Sequence, residues 1–259
     1  MSTHNAAATL RSVQAEFLLP HEVDTALATR SVVYLPMGSI EYHAAHLPIG
    51  LDGLTAHGIC TRSAAAAGGI VLPTLYYGVG GGHTGYPWTI MASSPATISD
   101  LLEQALCRLQ QFGVQLAVLF TGHFADEQLS MINDIAEGWN ASGKQLRVLA
   151  LSISGSDAGV APDHAGIFET SALYAMWPDR VELDRLPALA EAPSVDPGGD
   201  VMGSQRHDPT HPLHGVFGPD PRSFEPTHAQ RLVDELVTWT VAQVDRADNS
   251  SSNIPVGRS

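Results

Sequence analysis

Apolar positions along this chain follow two rhythms. Short runs of β-branched and aliphatic residues alternate with longer stretches in which apolar residues recur at helical spacing, a pattern that predicts an α/β fold with a mostly parallel sheet. Ser31 to Met37 (SVVYLPM), Ile70 to Leu75, Gln115 to Phe120 and Leu146 to Ile153 read as strands. Pro20 to Thr29, Leu51 to Ala67, Thr97 to Phe112, Asp126 to Trp139, Gly166 to Met176 and Thr227 to Arg246 read as helices. In the third of these, Ile98, Leu101, Leu102, Ala105 and Leu109 fall on one face. Gly68-Gly69 and Gly113 close two helices, and Pro178 stops another. The Gly-, Ser- and aromatic-rich stretch 78–94 is too long for a mere connection and is expected to serve a site. Residues 187–221, rich in Pro, Gly, Asp and His with little periodicity, are expected to wrap the surface or meet another subunit. One domain over 1–246 is expected, followed by a disordered polar tail over 247–259.

Composition narrows the function. Net charge is −14 and the 13 basic residues include a single lysine, Lys144. No surface of this chain promises to track phosphates, so nucleic acid is not an expected partner. No apolar run approaches the roughly 20 residues that cross a bilayer, and Met1 to Leu10 lacks the pattern of a signal peptide. A cytoplasmic protein is expected. Cys60 and Cys107 lie in apolar helical stretches and are expected to be buried free thiols.

The 12 histidines concentrate in Gly- and Pro-rich segments rather than on helix faces, and three segments carry chemistry. In MGSIEYHAAHLPIGLD, residues 37–52, a strand runs into a Gly-Ser turn followed by Glu41 and His43. Extended backbone at i and i+2 points both side chains to one side. A carboxylate and an imidazole at the carboxyl end of a strand suit zinc, manganese or iron(II), where open α/β sheets bind ligands. Asp52 can supply a bridging carboxylate or cap the helix that starts there. His46 and His57 read as structural. In FTGHFADE, residues 120–127, His123 emerges just after another strand, while Asp126 and Glu127 can simply cap the next helix. In DHAGIFETS, residues 163–171, His164 beside Asp163 suits a proton shuttle, with a capping Asp163 and a surface histidine as the alternative.

These segments, with HTGYPWTI over 83–90 and in the same order and similar spacing, resemble the creatininase (creatinine amidohydrolase) family over about residues 35–178. The resemblance implies a three-layer α/β/α sandwich, one or two divalent metals (zinc, manganese or iron), a hexameric assembly and hydrolysis of small cyclic amides and related C–N bonds. It implies that Glu41 and His123 bind one metal, His43 the other, that Asp52 bridges them, and that His164 protonates the leaving nitrogen. Three departures stand out. Creatininase has Gly-His-Tyr-Glu where this chain has Gly122-His123-Phe124-Ala125, so a second metal must find its ligand in Glu169 or water. A tryptophan before the catalytic histidine gives way to Gly159-Val160-Ala161-Pro162, and a glutamate beside it to Asp163. The expected substrate is therefore a small polar, cyclic molecule other than creatinine, touched by His83, Tyr86, Trp88 and Phe124, with a structural aromatic plug as the alternative role for Trp88. Other branches of the family act on formylamino-pyrimidines, modified peptides or oxidised inositols, so ring opening of a cyclic ketone or lactone is the alternative chemistry. A catalytically dead binding or scaffold protein on the same fold is the alternative of another class.

Overall fold

The computed structural model describes residues 10–81, 85–156, 158–195 and 202–251. The helices are α1 (Pro20–Thr29), α2 (Leu51–Ala67), α3 (Pro95–Gln111), α4 (Asp126–Ala141), α5 (Ile167–Met176), the single turn α6 (Ser204–His207) and α7 (Pro226–Ser251). Four strands, β1 (Val32–Met37), β2 (Ile70–Val71), β3 (Leu116–Thr121) and β4 (Arg147–Ser152), form one parallel sheet in the order β2-β1-β3-β4.

β1 and β3 are buried along their whole length, as parallel strands covered on both faces must be. Their side chains divide by alternation. Val32, Tyr34, Val118 and Phe120 face a core built with α2, α5 and α7, while Val33, Leu35, Met37, Ala117 and Leu119 face the core of α3 and α4. The result is the expected three-layer α/β/α sandwich. At about 25 cal/mol per Å² of apolar surface removed from water, these two cores are the main favourable term for the fold.

Four local expectations need correction. β2 ends at Val71 because Pro73 has no N–H for the ladder, although Leu72 and Leu75 still donate to Tyr34 and Pro36 of β1. The core face of α3 is Ile98, Leu102, Leu106 and Leu109, whereas Leu101 is half exposed. Both cysteines are free, but only Cys60 is buried; Cys107 is on the outer face of α3. Finally, α7 continues past Arg246 to Ser251, because Arg30 pairs with Asp245 and Asp248 and Arg147 donates to the Ala247 carbonyl. Residues 252–259 lie outside the described residues. Among the described residues no helix is long and apolar enough to cross a membrane.

Candidate metal and substrate site

The ends of β1 and β3 are adjacent because Met37 and Thr121 are paired across the sheet. Each strand is followed at once by a glycine, and the amino end of α2 presses onto both. A Cβ on Gly38 would lie 2.2 Å from the Gly53 nitrogen, and one on Gly122 only 2.1 Å from the Asp52 carbonyl oxygen. Glycine at both positions lets the helix start come this close, and the approach sets Asp52 between the two strand ends. Asp52 is the second residue of α2, and Gly50 stands at the cap position without a side-chain bond. The capping alternative for Asp52 therefore fails.

Asp52 is 1% exposed and uses its two oxygens differently. Oδ1 lies 3.1 Å from His43 Nε2, and Oδ2 lies 3.3 Å from His123 Nδ1. Glu41 Oε2 is 3.0 Å from the same His123 nitrogen, and Glu169 Oε2 is 3.6 Å from His43 Nε2. Among the described residues three groups have their ligand atoms within 4.8 Å of one another and every member buried: Glu41–Asp52–His123, His43–Asp52–Glu169 and Glu41–His43–His164. Ser39, to which no motif in the sequence assigns a role, donates to Asp52 Oδ2 at 2.5 Å and stands 3.2 Å from Glu41 Oε2. Its place in the Gly-Ser turn ahead of Glu41 is the signal that was available.

Hydrogen bonding shows what this arrangement lacks. His43 Nδ1 donates to the Glu41 carbonyl at 3.0 Å, which leaves the Nε2 lone pair turned toward two carboxylates. That buried Nε2 has no hydrogen-bond partner. A lone pair facing carboxylate oxygens in a low-dielectric interior is repulsive unless a proton or a cation lies between them. Burial presses His43 toward its neutral form, yet Asp52 and Glu169 outweigh it and raise its pKa to about 10. His123 is raised well above the ordinary histidine value, since Asp52 and Glu41 overcome its burial. Burial likewise raises Glu169 against the pull of His43, while His43 and His123 hold Asp52 far below the usual carboxylate range in spite of burial. The residues thus fit divalent cations: oxygen and imidazole donors, strong demand for positive charge, and a tautomer fixed by a backbone carbonyl.

His164 stacks on His43 at 4.4 Å between ring centres, and its Nε2 is held 3.0 Å from the Tyr42 carbonyl. Asp163 is not among the residues lining the cavity. Its carboxylate accepts the backbone N–H groups of Gly166, Phe168 and Glu169 and so caps α5, and burial lifts its pKa to about 7 against those bonds. Both His43 and His164 are followed by an alanine in the left-handed region, Ala44 at φ 56° and Ala165 at φ 53°. Such backbone costs of order 1 kcal/mol or more for a residue with a side chain and collects at functional sites.

The cavity above these residues measures about 380 Å³, and Phe124, Ala125, Arg206 and Phe217 complete its walls. Phe124 lines the cavity. Tyr86 and Trp88 are not among the lining residues: Trp88 is 78% exposed, and Tyr86 is buried behind the wall, its hydroxyl given to the Arg206 carbonyl at 2.5 Å. His83 lies outside the described residues. His46 and His57 are structural, bonded to Thr170 and to Gln14 and Thr74. Asp126 and Glu127 do more than open α4, since both line the cavity rim and Glu127 accepts the Gly81 N–H at 3.2 Å.

Arg206 and Phe217 of the cavity wall come from the stretch 187–221, which the sequence leads one to expect wrapping the surface or meeting another subunit. Gln205, fully buried, ties this stretch down by donating to the Val216 carbonyl at 2.7 Å. Phe217 exchanges both backbone hydrogen bonds with His164, each 3.0 Å, and its ring stacks on the His164 ring at 4.7 Å.

The family profile described as Creatininase, creatinine amidohydrolase, matches residues 18–244. The chain belongs to the creatininase family. Among curated relatives, creatinine amidohydrolase of Pseudomonas putida is 29% identical over 198 residues, 66% of this chain and 73% of the relative. The mycofactocin precursor peptide peptidase of Mycolicibacterium smegmatis is 27% identical over 242 residues, 83% of this chain and 85% of the relative. Solved creatininases share the fold: a manganese form superposes with a TM-score of 0.72 at 22% identity, covering 90% of this chain and 98% of the other. A Zn–Zn form does so with the same TM-score and identity, covering 90% and 97%. Membership places the chain among metal-dependent amide hydrolases.

Proposed function

We propose that this protein hydrolyses an amide C–N bond in a small polar substrate other than creatinine. Glu41, Asp52 and His123 hold one divalent metal, and His43, Asp52 and Glu169 hold a second. The observation that carries this reading is the division of Asp52, one oxygen toward each histidine, as a bridging carboxylate requires. Glu169 takes the place of the glutamate that Ala125 lacks. Zinc and manganese are the ions named for solved relatives, and the donor set suits either.

A bound divalent ion supplies an activated water and a polarised carbonyl. The chain's own residues do the rest. Ser39 and the Glu41 carbonyl orient Asp52 and His43, and His164 delivers the proton to the leaving nitrogen, with Asp163 positioning it through the cap on α5. A peptide peptidase among the curated relatives makes a linear amide a second candidate beside a cyclic one.

The test is metal analysis of the purified protein, with turnover measured on cyclic amides, short peptides, lactones and keto-inositols. Stoichiometric zinc or manganese with cleavage of amides is expected. Protein without a stoichiometric transition metal sinks the proposal. Lactone or keto-inositol turnover alone replaces it with ring opening, and bound metal without any turnover favours a scaffold.

A further inference from the structure

The two metal positions are braced by different means. His43 gives its Nδ1 hydrogen to the Glu41 carbonyl at 3.0 Å, and Glu169 Oε2 accepts the Ala165 N–H at 2.6 Å. Backbone groups thus fix two of the three side chains in the His43–Asp52–Glu169 set. The Glu41–Asp52–His123 set is arranged otherwise. His123 turns Nδ1 toward both carboxylates, 3.0 Å from Glu41 and 3.3 Å from Asp52, and its buried Nε2 has no hydrogen-bond partner. An imidazole that ligates a metal is normally steadied by a hydrogen bond from its other nitrogen. No group among the described residues gives His123 that anchor, so the orientation of this set falls to its carboxylates.

Ser39 meets both of them. Fully buried and two residues past β1, it donates its hydroxyl hydrogen to Asp52 Oδ2 at 2.5 Å, the oxygen that faces His123. Its Oγ is also 3.2 Å from Glu41 Oε2, which faces His123 as well. In the other set it reaches the shared Asp52 through the oxygen turned away from His43, which takes Oδ1. We infer that Ser39 is the positioning residue of one metal position alone. It braces Glu41 and Asp52 for a cation beside His123, and leaves the position beside His43 to its backbone anchors. A neutral hydroxyl does this without adding charge, where a lysine or arginine would compete with the cation for the same oxygens. The two positions are therefore separable, and removal of one hydroxyl empties them unequally.

This inference rests on the two-metal hydrolase reading, and its test separates the two. Zinc affinity of the metal-stripped protein is measured by competition with a chelator. Groups behind a metal ligand carry about 10- to 100-fold in affinity. Ser39→Ala is expected to weaken one zinc by that factor and to hold the other within about threefold of wild type, below that range. Ser39→Thr, which keeps the hydroxyl, is expected to recover most of the lost affinity. Adding His123→Ala to Ser39→Ala should spare the remaining tight zinc, whereas adding His43→Ala should remove it. Equal weakening of both ions, weakening of neither, a threonine variant as weak as alanine, or the reverse assignment in the double variants overturns the inference. A wild type that binds two zinc ions yet cleaves no amide strikes the hydrolase reading alone. One that takes up fewer than two overturns both.

Discussion

The bottom and the roof of the cavity are built on opposite plans. At the bottom, Glu41, His43 and His123 sit two to six residues beyond the ends of adjacent strands and Asp52 and Glu169 in the first turns of α2 and α5; all are at most 5% exposed, with hydrogen bonds to Ser39 and the Glu41 carbonyl orienting Asp52 and His43. The roof is a stretch of little regular structure, fixed by one buried glutamine, one tyrosine hydroxyl and a backbone bridge. Rigid sheet ends hold the part of the site where small displacements cost most. A loop carries the part that must differ between substrates.

That contrast can be broken from the bottom upward. Asp52→Asn should have the largest effect, because it weakens both metal sets together. Activity is expected to fall at least about 10³-fold, the scale on which an electrostatic transition-state contact is felt, and elemental analysis should show metal lost from both positions. His164→Gln should lower turnover by about 10²- to 10⁴-fold, the usual contribution of a general acid–base group, with metal content unchanged. If this variant loses metal as well, His164 belongs to the bottom of the site rather than to proton transfer. Gly122→Ala forces a Cβ against the Asp52 carbonyl and should cost about 1–3 kcal/mol, read as a lower Tm, along with weaker metal binding. The same substitution at Gly113 or Gly143 meets no neighbour but carries a positive φ, so Gly138, with open space and ordinary helical backbone, is the control.

The smallest effect concerns pH. Burial drives the His46 pKa down to about 3 in the folded chain, against an ordinary value of 6.5. Below pH 6.5 the unfolded chain therefore binds more protons at this site than the folded one. The stability that neutral His46 contributes is intact above that pH and is lost progressively as pH falls toward 3. His46→Gln should keep the bond to Thr170 and flatten the acid side of a plot of Tm against pH. An unchanged acid limb rules His46 out as its source.

How much of this was legible in the sequence depends on whether a residue's role is local. Glu41, His43 and His123 could be found because strand alternation and strand ends are local rules. Phe124 could be placed with them, since it follows His123 directly. Asp52 was ambiguous, because an acid at a helix start serves equally as a cap, and only the closeness of α2 to Gly38 and Gly122 decides between the two. Leu101 and Leu106 differ by one turn-and-a-fraction on α3, and which of them is covered depends on where β3 and α4 lie. Arg206 and Phe217 were out of reach. No periodicity marks a stretch held by Gln205, Tyr86 and a bridge to His164, the last two of them contacts between residues far apart in the chain.

The two hydrogen bonds between the backbones of His164 and Phe217 have a mechanical consequence. A flap hinged at both ends can lift away from an active site and leave the chemistry behind; this one is stitched to the histidine itself. Any swing large enough to admit a bulky ligand past Phe217 must also drag the imidazole off His43. A mutation that loosens the stitch would therefore be felt as lost proton transfer before it was felt as faster entry.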